Sequence, residues 1–152
     1  MYQQTRPENP AKTFLKRYRA LIVEQESLQR SIEAAYDRAR SCSVRLKPIH
    51  VTGGSGAYDR MAEDVARIAD ETEQLKATKT RVAAALSEIL EAIGAVEDET
   101  QHAVLLLRYV EGLDWLKIAD KLNYADRTIF ILHGRALWAV NHWLQAKEKS
   151  PG

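Results

Sequence analysis

One cysteine in 152 residues, Cys42, excludes an intrachain disulfide framework. A free surface thiol in a reducing compartment is the expectation for it. Long apolar runs are absent too: nothing approaches the ~18 consecutive apolar residues of a spanning helix, and the polar start from Met1 to Pro10 has no leader pattern. A soluble, cytoplasmic protein with no membrane partner is expected. Charge of one sign is scarce overall, since the net value is +1, which is less basic than a bulk nucleic-acid binder. Metal-ligand spacing is missing: His50, His102, His133 and His142 share no ligand pattern with Cys42 or with paired carboxylates. No serine sits in a nucleophile-elbow pattern, and the Gly53-Gly54-Ser55-Gly56 cluster is not followed by the Lys-Ser/Thr pair of a phosphate loop. No enzyme, cofactor or metal is therefore expected.

The small net charge conceals a segregation along the chain. Residues 1–55 hold ten Lys/Arg against five Asp/Glu, 56–100 hold five against eleven, and 101–152 hold seven against five. An acidic middle segment can therefore pair with the basic one before it.

Apolar spacing is abundant. Phe14, Tyr18, Leu21, Gln25, Leu28, Ile32, Ala35 and Ala39 alternate four and three apart, with Leu15, Ile22 and Tyr36 widening the stripe. This pattern predicts a long helix from Ala11 to about Arg40 with one buried face. A second series, Met61, Val65, Ile68, Thr72, Leu75, Lys79, Val82, Leu86, Ile89, Ile93 and Val96, predicts its partner. Gln25, Thr72 and Lys79 interrupt the seams and are candidates for setting register. Between the two series, residues 41–56 carry Pro48 and the glycine cluster, which break helix. The reading is an antiparallel, coiled-coil-like hairpin over residues 11–96 with a flexible loop at 41–56. The loop's Arg45, Lys47 and His50 are candidates for phosphate contacts.

The last third, residues 97–146, reads as a separate unit. Glu97, Asp98 and Glu99 precede an apolar run and suit the positive end of a helix dipole. Gly112 is placed to end that helix. Asp114 can cap a short helix carrying Trp115, Ile118, Ala119 and Leu122, which Asn123 closes. A final helix from about Asp126 to Leu144 turns Ile129, Leu132, Ala136, Leu137, Val140 and Trp143 inward. Short helix, three-residue turn and longer helix are the helix-turn-helix layout, so the expected fold is all-α, a hairpin followed by a helix-turn-helix.

The run Leu107-Arg108-Tyr109-Val110-Glu111-Gly112-Leu113-Asp114-Trp115, with Ile118-Ala119 and Leu122-Asn123-Tyr124, resembles region 4 of bacterial sigma factors. Its continuation from Asp126 through Leu137 is similar to phage and prophage regulators of the RinA and ArpU types. The resemblance implies a transcriptional regulator that binds promoter DNA in a bacterial host cell. Ala125 departs from the pattern's usual capping serine, Asn123 from a common glycine, and Ile131 from a frequent Arg or Lys.

On a 100° wheel the outer face of the final helix collects Arg127, Thr128, Ile131, Gly134, Arg135 and Trp138. Arg127 and Arg135 suit a guanine edge or phosphates, Thr128 a base or a phosphate, and Ile131 a thymine methyl. Lys117 on the short helix completes the candidate DNA-binding set. Phe130 and Trp138 make that face apolar and mark it as a candidate protein contact, RNA polymerase among the partners. A homodimer is the default for a regulator of symmetric DNA sites. The alternatives are a protein-interaction module docking on polymerase or another phage protein, and a small terminase-like DNA-packaging component.

Overall fold

The computed structural model describes residues 8–45 and 55–150, with side chains omitted at 42–45, 55 and 57. Five α-helices occur in the order α1 (Pro10–Arg45), α2 (Ser55–Gly94), α3 (Glu99–Leu105), α4 (Trp115–Leu122) and α5 (Asp126–Lys149), and a π-helical turn (Leu106–Val110) continues α3. No strand is present among the described residues. The fold is all-α and built on a long N-terminal helix pair, as the spacing predicts. α1 and α2 each run further into residues 41–56 than expected, to Arg45 and from Ser55. Lys47, Pro48, His50, Gly53 and Gly54 lie outside the described residues, as do the side chains of Arg45 and Cys42.

The packing divides the chain elsewhere than at the expected boundary between residues 96 and 97. One compact unit is Leu21–Arg81; the other joins Met1–Ala20 to Val82–Gly152. The physical reason is the second unit's core. Ala11 and Leu15 of α1 and Ile89, Ala92, Ile93 and Val96 of the α2 end pack with Leu105, Tyr109, Ala136, Leu137 and Val140. The apolar face of α5 thus has its partner in the first turns of α1 and the last turns of α2.

Leu21–Arg81 is the hairpin proper. Every α1 position of the expected seam from Leu21 to Ala39 is buried or half-buried. On α2 the seam is rotated: Val65 is 54 % exposed and Lys79 is exposed, while Thr78 is 3 % exposed. Polar rungs explain the rotation. Thr78 Oγ1 donates to Glu24 Oε1 at 3.2 Å, Ser31 Oγ donates to Glu71 Oε1 at 2.9 Å, and Arg38 Nε donates to Asp64 Oδ1 at 3.2 Å. Residues 24, 31 and 38 are spaced by heptads, as are 64, 71 and 78, and each pair sums to the same register number. A polar group accepted into a seam needs its partner, so these rungs, rather than Gln25, Thr72 and Lys79, hold the antiparallel register.

The second unit is closed by caps. Asn9 Oδ1 accepts from the Ala11 amide at 3.0 Å, and Asn141 Oδ1 of α5 accepts from the same amide at 2.9 Å. Asp98 caps α3 through the Gln101 amide at 2.8 Å. Gly112 has φ +75, and a Cβ there would lie 2.7 Å from the Arg19 guanidinium carbon. The left-handed backbone is what favours glycine here, because the Arg19 guanidinium is the end of a flexible side chain that can move aside.

Candidate nucleic-acid interface

The local chemistry of α4 and α5 follows the capping rules. Asp114 Oδ1 accepts from the Lys117 amide at 2.9 Å and so starts α4. Asn123 ends it with φ 59 and ψ 42. The Tyr124 amide then donates back to the Ala119 carbonyl at 3.0 Å, a Schellman closure. Asn123, Tyr124 and Ala125 are the whole connection to α5. Ala125 offers no side-chain cap, and Asp126 alone complements the dipole at the α5 start.

A second core holds the two helices together: Val104, Leu107, Ile118, Ala119 and Ile129, with Leu113, Trp115, Leu122 and Leu132 against it. Trp115 organises its edge. Its ring centroid lies 4.6 Å from that of His133 and 5.3 Å from that of Phe130, and the Arg108 guanidinium sits 4.4 Å over its face. Arg108 Nη1 also donates to the Leu113 carbonyl at 3.0 Å, fixing the approach to α4.

Behind Trp115 a polar pair is buried. Tyr109 Oη and His133 Nε2 are 2.7 Å apart. Burial pushes the His133 imidazole down to about 4, and the nearby charges of Lys12 and Arg108 add to the effect. Burial likewise raises the Tyr109 phenol to about 12. With the imidazole neutral and the phenol protonated, the pair is a core hydrogen bond. His133 is buried beside the core stripe; its Tyr109 partner is a tertiary fact that no spacing announces.

The outer face of α5 carries the expected stripe. Arg127, Phe130, Ile131, Gly134, Arg135 and Trp138 are all exposed, and Thr128 is half-buried. Lys117 is exposed on α4. The seven candidates divide into two sets. Phe130, Ile131, Arg135 and Trp138 line one groove of about 790 Å³; Arg127, Thr128 and Lys117 are not among its lining residues. The opposite wall comes from the α2–α3 junction, with Ala95, Val96, Glu97, Asp98 and Gln101. Sequence reading missed this wall because it is brought to α5 only by tertiary packing. His142, four residues beyond Trp138, also lines the groove, and its spacing was the one local signal.

Family models, curated proteins and solved structures contain no match to this chain.

Electrostatics around α4 and α5 are balanced. Between Glu111 and Arg135 four basic side chains (Lys117, Lys121, Arg127, Arg135) face four acidic ones (Glu111, Asp114, Asp120, Asp126). A polyanion held here would depend on individually placed contacts rather than on a broad positive field. Among the described residues no cluster of three or more His, Cys, Asp or Glu is poised for a metal. No described helix is long and apolar enough to cross a membrane.

Proposed function

We propose that the C-terminal helices form a helix-turn-helix that reads double-stranded DNA, in a transcriptional regulator of the phage type. The observation that carries the reading is the short left-handed turn at Asn123, which delivers α5 with Arg127 and Ile131 outward at its start. A recognition helix presents its first turns to the major groove in this way. Arg127 is the base-reading candidate, with Thr128 and Ile131 beside it and Lys117 placed for the phosphate backbone. The sequence resemblance to sigma region 4 supports the same assignment.

Fluorescence anisotropy against the chain's own upstream DNA and against random DNA, at two salt concentrations, tests it. Tighter binding to the upstream DNA is expected, with a shallow salt dependence that follows from the balanced charge. Arg127→Ala is expected to cost about 1–3 kcal/mol and to relax base choice. An affinity unchanged by that substitution removes Arg127 from the reading face.

A second reading is favoured by the groove. Its α5 wall exposes Trp138 at 66 %, Phe130 at 51 % and Ile131 at 48 %. Contiguous exposed apolar surface of this kind marks a protein contact. In this reading the C-terminal unit is an interaction module whose partner sits on α5.

A further inference from the structure

We infer that a second copy of this chain fills the groove, paired two-fold so that each copy's Trp138 enters the other's groove and each Arg135 meets the other's Glu97. This names the partner of the interaction reading and rests on it; Arg127, Thr128 and Lys117 lie outside the groove, so the DNA reading then rests on them without Ile131.

Shape is the first argument. Trp138 and His142, with ring centroids 3.9 Å apart, form a ridge on α5. The groove of about 790 Å³ lies on one side of that ridge. A second groove of about 740 Å³, lined by Pro10, Phe14, Asn141 and Leu144 among others, lies on the other. A ridge beside a groove is the self-complementary form that a two-fold interface requires, since the same patch must serve as both knob and hole.

Charge is the second. Arg135 and Glu97 line the same groove. Among the described residues neither belongs to an ion pair. A two-fold axis between two such grooves sets the cation of one copy against the anion of the other, twice. Asp98 contributes less, because its carboxylate is already engaged at the α3 cap.

Gly134 is the third. It lies within α5 and lines the groove, and no atom stands within 4 Å of where its Cβ would be. Glycine weakens a helix relative to alanine, and nothing among the described residues needs the missing side chain. A second backbone passing close over α5 does need it.

Sedimentation velocity of the full chain over a wide dilution series is the test, with circular dichroism to verify equal helicity in each variant. A reversible monomer–dimer equilibrium is expected. Trp138→Glu, Arg135→Glu and Glu97→Arg should each weaken it by about tenfold or more. Mixing the Arg135→Glu chain with the Glu97→Arg chain should restore pairing, because each reversed charge then faces its opposite across the axis. Gly134→Ala should raise the melting temperature of the monomer while weakening the dimer. The pairing is overturned by a chain that stays monomeric at every dilution, by a dimer indifferent to Trp138→Glu and Arg135→Glu, by a mixture that fails to recover, or by a ring of many copies. A monomer that binds RNA polymerase core enzyme through Trp138 would overturn the pairing yet keep the interaction reading. A monomer that binds nothing through α5 ends both, and the anisotropy titration judges DNA binding in either case.

Discussion

At the scale of single residues, the Tyr109–His133 pair makes a pH prediction with a definite sign. The folded imidazole titrates at about 4 against its ordinary 6.5. Between those values the unfolded chain takes up a proton that the folded chain refuses, so acid favours unfolding. The stability contribution is complete above about pH 6.5 and is lost as pH falls towards 4. Thermal unfolding followed by circular dichroism should show the melting temperature falling across that window. His133→Gln should flatten the fall, and a variant with the wild-type slope would remove His133 as its cause. The residue level was also the most legible in sequence where a single side chain suffices. Gly112, Asp114 and Asn123 each do locally what their chemistry predicts, with φ +75, a 2.9 Å cap and φ 59 respectively. Residues whose role needs a partner from elsewhere, such as Tyr109, were silent.

At the scale of elements, α5 begins without a side-chain cap although its Ala125 already has the extended φ −66, ψ 150 of a capping position. Ala125→Ser supplies an oxygen to an unsatisfied amide of the first turn without changing the backbone. A gain of about 1 kcal/mol is expected, read as a higher urea midpoint with unchanged slope. No gain, or a loss, would mean that the α5 start is already satisfied by other means. The helix pair shows how periodicity informs and misleads. Alternate four-three spacing identified both long helices and the whole α1 seam, because an apolar stripe needs no knowledge of its partner. The α2 seam was read one position off at Val65 and Lys79, because Asp64, Glu71 and Thr78 look like surface residues until their α1 partners are known. Burying them costs little only when each finds its hydrogen bond. The outward stripe of α5 was legible for the same reason as the α1 seam, being the complement of an apolar face. The groove was not, since half of it belongs to the α2–α3 junction.

At the scale of the whole molecule, the C-terminal helices are not self-sufficient. Ala136, Leu137 and Val140 of α5 are buried against Ala11, Leu15, Ile89 and Ile93, so a fragment beginning at Glu97 exposes that surface to water. Such a fragment is expected to show lower helicity and a broader, lower melting transition than the full chain. A chain in which Leu21–Arg81 is replaced by a short glycine-serine turn keeps the second compact unit intact and should melt cooperatively. Equal stability of the two truncations would show that the hairpin ends contribute nothing to the C-terminal core. The π-helical turn at Leu106–Val110, closed by the Glu111 amide on the Leu106 carbonyl at 3.0 Å, holds one residue more than an α-turn. The segment that contains it serves two cores, Leu105 and Tyr109 facing one and Val104 and Leu107 the other. The segment is therefore sensitive to length more than to composition: similar apolar side chains can be exchanged, whereas losing one residue would swing everything downstream by about 100° and bring the wrong side of the chain to each core.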